Sequence, residues 1–585
     1  LLPTGGGKSI TFQVPALALP GLTIVVTPLI SLMKDQVDNL RRAGIRAVYL
    51  HSGLSARESR LAIDRCRLGK AKLLYLSPER LRGERFIAEL KLMQVSLIVV
   101  DEAHCISQWG YDFRPSYLKI AALREIFPEV PVMALTATAT PDVADDIKRR
   151  LNFRQGSVTV KGSFARDNIS YVVRYSDSKL DMLLRVLRNT RGSGIVYVRS
   201  RKRTGELAKA LCEEGIEAAY YHAGLMPQEK EERQNQWKDG AVRIIVATNA
   251  FGMGIDKADV RVVAHYDLPS SLEEYYQEAG RAGRDGKPSF AVVLANARDK
   301  AILTRRLNEA FPDKEVIKRV YELACNFLEV AVGTGYGHLY EFNFAKFCAV
   351  FKLDANVARS SLLILSRAGY IDYVDEIATR SRVMIVANKE ELYGLRLGEE
   401  ADAVLQTLLR SYTGLFADYV QIYESEIALR AGLTEDKVYE ALLLLGREKV
   451  LHYVPRRQTP YMLFTTSREE PRHVQFPVEV YEHQKERMSR RIEAMKSFVF
   501  QGEGCRVKHM LEYFGEENAA DCGKCDCCRS RRSRPEADPA QVERLLRQPG
   551  GHTVGYIAEQ LGVGREQIVE ICRMLMDAGV PGPRQ

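Results

Sequence analysis

The sequence predicts an α/β protein that begins with two parallel-sheet lobes in tandem and continues with smaller helical modules. Short apolar runs, of which Val95–Val100 is one, alternate with segments of helical periodicity in the first half of the chain. This alternation favours a parallel sheet covered by helices on both faces. It restarts after residues 162–176, which predicts the second lobe, and helices with short hairpins take over from about Phe311.

Length and composition limit the class of protein. The 585 residues leave room for several domains, and the net charge of +9 is compatible with a phosphate-bearing partner. The sequence contains no secretory signal and no apolar stretch near the roughly 20 residues that span a membrane. We therefore expect no membrane partner and a reducing, cytoplasmic location.

A glycine-rich loop opens the chain and precedes a helical segment, residues 10–18. Glycines let backbone N–H groups approach phosphate oxygens closely, while Lys8 supplies a positive charge to the β- and γ-phosphates and Ser9 a hydroxyl to Mg²⁺. The sequence therefore predicts a site for nucleotide phosphates. Its residues are Thr4, Gly5, Gly6, Gly7, Lys8 and Ser9.

Two adjacent carboxylates, Asp101 and Glu102, follow the apolar run Val95–Val100. Open α/β sheets bind their ligands at the carboxyl ends of strands. A carboxylate at this place can hold Mg²⁺ on a nucleotide, and its neighbour can orient or deprotonate a water molecule. We assign the metal role to Asp101 and the water role to Glu102.

The segment after these carboxylates, residues 105–115, is rich in groups that stack on nucleic-acid bases. The residues expected to contact nucleic acid are Gln108, Trp109, Phe113 and Arg114. A second contact is suggested after the predicted strand 22–26, where Thr27 and the helix-capping Ser31 suit a phosphate. A capped helix without a ligand explains that second pattern equally well.

The second lobe supplies two further motifs. Residues 247–256 follow a predicted strand and end in Asp256, which can accept hydrogen bonds in a cleft between the lobes. Residues 277–285 have a helical pattern that begins with Gln277 and carries Arg281 and Arg284. An arginine that enters a nucleotide cleft stabilises charge on the transferring phosphoryl group. We expect Arg284 to be this finger, with Arg281 beside it.

The next part of the chain contains two copies of a winged-helix pattern. The first copy has helix 357–365 with strands 370–374 and 382–386, and the second has helix 438–445 with strands 450–454 and 462–464. In each copy we expect the two strands to pair with each other as a hairpin. Basic residues stand near the predicted hairpin tips, namely Arg380, Arg456 and Arg457. Winged helices contact either duplex DNA or other proteins.

Four cysteines near the carboxyl end have the spacing of a structural zinc site. They are Cys505, Cys522, Cys525 and Cys528. Four thiolates form the closed tetrahedral shell of a structural zinc, and the Cys-x₂-Cys spacing favours Cys528 over the adjacent Cys527. A basic amphipathic helix, residues 486–500, precedes the cysteines, and a helix–turn–helix pattern around Gly562 follows them.

The order of these motifs is similar to that in superfamily 2 helicases, and the Cys-Ile-Ser-Gln-Trp-Gly-x-Asp-Phe-Arg-Pro segment resembles the RecQ family of DNA helicases. The similarity extends from the phosphate loop to about Cys528. It implies RecA-like lobes with ATP and Mg²⁺ bound between them, Zn²⁺ in the cysteine module, and strand contacts at Thr27 and Ser31. It implies nucleotide contacts for Asp256 and Gln277.

The resemblance also implies ATP-dependent, 3′-to-5′ unwinding of duplex DNA in recombination and repair. The implied partners are single-stranded and forked duplex DNA, while protein partners are not indicated. In this family an adenine-reading motif normally precedes the phosphate loop. Because only Leu1, Leu2 and Pro3 precede it here, we expect the chain to be N-terminally incomplete.

The expected domains are a first RecA-like lobe (1–165), a second RecA-like lobe (166–310), two winged-helix-like modules (311–395 and 396–470), a helical zinc-binding module (471–530), and a basic linker with a helix–turn–helix-like tail (531–585). Two other functional classes share the motifs: an ATPase that acts on RNA or anneals strands, and a non-catalytic DNA-binding scaffold. The intact Lys8, Asp101, Glu102 and Arg284 argue against the scaffold.

Overall fold

A computed structural model describes most of the chain. The described residues are 1–51, 54, 56–82, 84–107, 112–252, 257–374, 381–387, 398–412, 415–416, 419–455, 461–500, 504–533, 537–548 and 552–584. Among them, no helix has both the length and the apolar character needed to cross a lipid bilayer.

The first lobe contains a five-stranded parallel sheet with strand order β2-β3-β1-β4-β5. Its strands are β1 (Leu22–Val26), β2 (Ala47–Leu50), β3 (Leu73–Leu76), β4 (Val95–Val100) and β5 (Val132–Ala134). Its helices are α1 (Lys8–Ala18), α2 (Ile30–Arg42), α3 (Ala56–Arg67), α4 (Glu84–Lys91), α5 (Ala122–Ile126) and α6 (Pro141–Arg150). All residues of strands β1 and β3 are buried, and all except Thr23 in β1 are apolar or aromatic. This is expected for strands that lie between two helical layers.

The strand ends of this sheet are aligned at one edge. Val26 lies opposite both Leu76 and Val100, so β1, β3 and β4 end at the same level. Hydrogen bonds continue one residue further, from the Asp101 N–H to the Val26 carbonyl (2.9 Å) and from the Thr27 N–H to the Leu76 carbonyl (3.1 Å). The carboxylates after β4 therefore lie beside the end of β1, where the sequence places them.

The second lobe is a six-stranded parallel sheet with strand order β6-β11-β10-β7-β9-β8. Its strands are β6 (Ile169–Tyr175), β7 (Ser193–Tyr197), β8 (Ala218–Tyr221), β9 (Ile244–Ala247), β10 (Val260–His265) and β11 (Ser289–Ala295). Its helices are α7 (Lys179–Asn189), α8 (Arg201–Glu213), α9 (Pro227–Lys238), α10 (Leu272–Ala279) and α11 (Arg298–Ala310). Strand β6 was not predicted, because it lies in the segment that was assigned to the boundary between the lobes.

Two small sheets follow the lobes. The first has the order β12-β17-β13 and packs with α12 (Lys314–Phe327), α13 (Phe344–Phe351) and α14 (Ala355–Arg367). The second has the order β15-β14-β16 and packs with α15 (Glu399–Ser411), α16 (Glu424–Ala431) and α17 (Glu435–Arg447). The strands are β12 (Leu339–Glu341), β13 (Ile371–Val374), β14 (Ser381–Ile385), β15 (Val420–Ile422), β16 (Leu451–Val454) and β17 (Tyr461–Phe464).

The two predicted hairpins are wrong, although the predicted strands exist. Strand β13 pairs with β17, where Val374 lies opposite Tyr461, and β14 pairs with β16, where Ile385 lies opposite Leu451. Residues 381–454 therefore form a second winged-helix module inserted between two strands of the first. Alternating apolar residues identify a strand but do not specify its partner. Arg380, Arg456 and Arg457 lie outside the described residues.

The remaining helices form two groups. The cysteine module contains α18 (Glu482–Phe500), α19 (Arg506–Tyr513) and α20 (Asp526–Ser533), and α18 includes the predicted basic helix. The tail contains α21 (Pro539–Leu546), α22 (Val554–Leu561) and α23 (Arg565–Asp577), which share a small apolar core. The turn between α22 and α23 begins at Gly562, whose φ of 65° is left-handed, as in a glycine C-cap.

The strand pairing generates a testable prediction. Because Val374 and Tyr461 are opposite each other in an antiparallel pair, a two-residue Asn-Gly turn can join them. We predict that replacing residues 375–460 with Asn-Gly leaves the β12-β17-β13 sheet folded, with its amides still protected in hydrogen-exchange mass spectrometry. Deletion of residues 461–464 is the control that should abolish protection. Loss of protection in the Asn-Gly variant would support the sequential hairpins instead.

Candidate active site and metal centre

The phosphate loop is a turn that only glycines adopt easily. Gly5 and Gly7 have left-handed φ angles of 78° and 75°, and a Cβ on Gly6 would lie 2.9 Å from the Pro3 side chain. Gly7 is the N-cap of α1, so Lys8 and Ser9 begin the helix. Free backbone N–H groups and the positive end of the helix dipole therefore point into the loop, which is the usual geometry for phosphate binding.

Asp101 is a buried carboxylate close to this loop. Burial, and then the charge of Glu102, raise the pKa of Asp101 to about 7, while the charge of Lys8 and a hydrogen bond from Gln36 oppose this shift. The Glu102 N–H donates to Asp101 Oδ1 at 3.0 Å. Carboxylate oxygens are preferred ligands of Mg²⁺, so a buried carboxylate beside the phosphate loop fits Mg²⁺ held together with nucleotide phosphates. The sequence did not indicate the contribution of Gln36.

Glu102 adopts a conformation that costs energy. Its φ and ψ of 47° are left-handed, which is unfavourable for a residue with a side chain and typical of functional sites. Its Oε2 lies 3.4 Å from Nδ1 of His104, and that nitrogen also contacts the hydroxyls of Thr136 (2.9 Å) and Thr138 (3.4 Å). The carboxylate is thus connected to the residues that follow β5, the neighbouring strand.

The segment predicted to contact nucleic acid is only partly described. Gln108 and Trp109 lie outside the described residues, as does the side chain of Ser31. Arg114 donates to Asp112 Oδ2 (2.9 Å) and to the Pro28 carbonyl (3.1 Å), and Phe113 is half-buried.

Arg114 is therefore bonded to the segment that follows β1. Thr27, the first residue after β1, is buried, so its hydroxyl faces the protein interior.

The predicted helix over 277–285 is wrong in its second half. Helix α10 ends at Ala279, and Gly283 has a left-handed φ of 56°. A Cβ on Gly283 would lie 2.3 Å from Nδ2 of Asn168, so no other residue fits there without movement. Two glycines, Gly280 and Gly283, end the helix, and Arg281 and Arg284 therefore extend from a turn.

The two arginines of this turn have different surroundings. Arg281 is buried in the second lobe and donates to the Gly252 carbonyl. Arg284 is half-buried, and a Cβ on Gly5 would lie 3.6 Å from its Cγ. Arg284 is therefore the arginine that lies beside the phosphate loop, and Arg281 is bonded to the segment that precedes Asp256, which lies outside the described residues.

A cavity of about 440 Å³ lies between the lobes near these motifs. Asp112 and Arg114 of the first lobe line it, together with Gln277 and Arg281 of the second. Arg491 of α18 closes one side, and its Nε lies 3.4 Å from Oε1 of the buried Glu273. Gln277 therefore lies in the cleft, beside the loop predicted to contact nucleic acid.

The four predicted zinc ligands converge. The sulfur atoms of Cys505, Cys522, Cys525 and Cys528 all lie within 4.8 Å of one another, and Cys527 is not part of this cluster. Four sulfurs around one zinc ion lie roughly 3.8 Å apart when each Zn–S bond is about 2.3 Å, so the cluster fits zinc. The hydrogen bond between Cys505 and Cys525 lowers the pKa of the Cys505 thiol and raises that of the Cys525 thiol.

Comparison with known families matches four parts of the chain. Residues 1–147 match the DEAD/DEAH box helicase family and residues 178–286 the helicase conserved C-terminal domain. Residues 383–455 match the RecQ helicase winged-helix domain of Bacteroidota, and residues 466–529 match the RecQ zinc-binding domain. The winged-helix match coincides with the inserted module.

Known relatives of this chain are named RecQ helicases. "ATP-dependent DNA helicase RecQ" of Pasteurella multocida is 45% identical over 310 residues, which are 53% of this chain and 49% of the relative. The Bacillus subtilis protein of the same name is 46% identical over 301 residues, 51% of each chain. The chain thus spans about half the length of these relatives.

Among solved structures, Saccharomyces cerevisiae Dbp5 bound to RNA and ADP BeF3 is 19% identical over 52% of this chain and 80% of that chain, with a TM-score of 0.42. This likeness is too weak to carry an argument.

The cysteine geometry generates a prediction. Cys528→Ser should remove one of four zinc ligands and reduce the zinc content of the purified protein, whereas Cys527→Ser should retain about one zinc per chain. Elemental analysis of both variants measures this directly. The assignment would be contradicted if Cys527→Ser lost the metal and Cys528→Ser kept it.

Proposed function

We propose that this chain is an ATP-dependent DNA helicase of the RecQ family, supported by its matches to the RecQ winged-helix and zinc-binding domains and to RecQ relatives. The observation that carries the proposal is the division of one nucleotide site between two lobes. The phosphate loop, Asp101 and Glu102 belong to the first lobe, and Arg284 approaches Gly5 from the second. A site of this kind responds to relative movement of the lobes, as a motor requires.

The proposed hydrolysis uses the residues in distinct roles. Lys8 and the N–H groups of residues 4–9 hold the phosphates, with Ser9 and Asp101 as the protein groups next to Mg²⁺. Mg²⁺ held by these two groups would neutralise charge that develops on the phosphates. Glu102 orients the attacking water and accepts its proton, and His104 limits where its carboxylate can turn. Arg284 stabilises charge on the transferring phosphoryl group.

The proposed DNA path crosses the same cleft. Trp109 and Phe113 stack on bases of a single strand, each with about 1–3 kcal/mol. Gln108 and Arg114 lie in the same segment, and Thr27 and Ser31 follow the neighbouring strand. We further propose forked duplex DNA as the substrate, 3′-to-5′ movement along it, and a role in recombination and repair. The similarity to the RecQ family supports these three proposals.

The contact from Arg114 to the Pro28 carbonyl supports communication between the DNA-binding segment and the strand ends. Gln277 and Asp256 complete the nucleotide contacts from the second lobe. Arg281 supports Arg284 from within that lobe. A cytoplasmic location is proposed because four thiolates need a reducing compartment.

The proposed domain limits follow the sequence-based ones for the lobes (1–165 and 166–310), the zinc-binding module (471–530), and the linker with its tail (531–585). For the winged-helix region, 311–395 and 396–470 are replaced by one module of residues 311–374 and 461–470 and an inserted one of residues 381–454. The strand pairs β13–β17 and β14–β16 support this change.

The function is tested by ATP hydrolysis with and without single-stranded DNA, together with strand displacement on a forked duplex. We expect DNA to stimulate hydrolysis, and Lys8→Ala to lower kcat by roughly 10²–10³-fold because charge stabilisation of the phosphates is lost. Lys70→Ala, which replaces an exposed lysine of the same lobe, is the matched control. Stimulation by RNA but not DNA, or DNA binding without stimulated hydrolysis, would contradict the proposal.

A further inference from the structure

Arg166 lies in the segment between the two lobes and connects the phosphate loop with the turn that carries Arg284. Its guanidinium donates hydrogen bonds to the backbone carbonyl oxygens of Thr4, Gly280 (3.2 Å), Ala282 (3.2 Å) and Gly283 (3.1 Å). One side chain therefore joins two motifs that lie more than 270 residues apart in sequence and belong to different lobes.

The packing around this guanidinium is close. A Cβ on Gly5 would lie 3.1 Å from Arg166 Nη1 and 3.6 Å from Arg284 Cγ. The guanidinium and the base of the Arg284 side chain therefore both lie beside the phosphate loop at Gly5.

The backbone that carries Arg166 is itself held in place. The Phe164 carbonyl accepts a hydrogen bond from the Tyr276 hydroxyl (2.9 Å), and Asn168 Nδ2 donates to the Gly283 carbonyl (2.6 Å). On the other side, the ring of Phe164 stacks on Phe514 of the zinc-binding module with centroids 4.9 Å apart. Residues 164–168 are therefore anchored to both the second lobe and the zinc-binding module.

We propose that Arg166 is a positioning residue for ATP hydrolysis, which sets the distance between the phosphate loop and Arg284. Its four acceptors are backbone oxygens of the protein, so it acts through Arg284 and not by contact with the phosphates. A lysine cannot replace it, because an ammonium group lacks the planar fork that serves two carbonyls on each terminal nitrogen. The inference rests on the proposed ATPase function.

The test compares Arg166→Gln and Arg166→Lys with the parent. Both variants should lower kcat on the order of 10²-fold, since small misplacements of catalytic groups cost rate strongly. The KM for ATP and the Kd for a fluorescent ADP analogue should change by less than about threefold, because the phosphate-binding groups remain. Arg174→Gln, at an exposed arginine of β6, is the matched control and should retain parental kcat. Equal losses of kcat and nucleotide affinity, or a parental kcat, would overturn the inference.

A double-mutant cycle with Arg284→Gln separates positioning from a merely structural role. If Arg166 acts through Arg284, the double variant should hydrolyse ATP within about threefold of Arg284→Gln alone. If the loss of rate in the double variant equals the product of the losses in the two single variants, the two residues act independently and the inference is overturned. The cycle is measured on basal and on DNA-stimulated hydrolysis. If DNA does not stimulate hydrolysis by the parent protein, the helicase proposal is contradicted. The cycle on basal hydrolysis then still tests the role of Arg166.

Discussion

The alignment of parallel strands in the first lobe determines where the reactive groups lie. Because β1 and β4 end in register, Asp101 comes out beside the end of β1 and within electrostatic reach of Lys8. Burial, and then the charge of Glu102, raise the pKa of Asp101 to about 7, and the charge of Lys8 opposes this shift. The same sheet edge positions Glu102 and, through the Arg114 contact to the Pro28 carbonyl, the segment predicted to contact nucleic acid.

The segment between the lobes is the second constraint on the site. Lys161 donates to the Phe514 (3.0 Å) and Gly515 (2.8 Å) carbonyls of the zinc-binding module. That module also reaches the second lobe, since Asp526 Oδ2 accepts from the Val173 N–H at 3.2 Å. The zinc-binding module is therefore packed against the segment that carries Arg166.

Local signals predicted the first lobe and the zinc centre well. A buried strand, its end and a glycine turn are each encoded within a few neighbouring residues, and the strand 95–100 was predicted with its observed limits. The preference for Cys528 over Cys527 followed from the Cys-x₂-Cys spacing and from the resemblance to the RecQ family, and it agrees with the cluster. Glycines at 280 and 283 were visible in the sequence, but the end of the helix at Ala279 was missed, as was the close contact of Gly283 with Asn168.

The pairing of strands that are distant in sequence could not be predicted from local patterns. The strand patterns of the winged-helix region do not indicate that β13 pairs with β17 across an inserted module. The contacts of Arg166 were missed for a related reason. Its partners, Thr4 of the first lobe and Gly283 of the second, are far from it in sequence, and no local pattern marks it. Strand β6 was lost because its residues were assigned to a boundary.

In the proposed mechanism, a residue from the second lobe completes one nucleotide site. Single-turnover ATP hydrolysis by Arg284→Ala, with nucleotide affinity measured in parallel, tests this directly. We expect a rate lower by roughly 10³-fold or more with nucleotide binding nearly unchanged, because an arginine finger acts mainly in the transition state. A rate close to that of the parent would show instead that the first lobe hydrolyses ATP without Arg284.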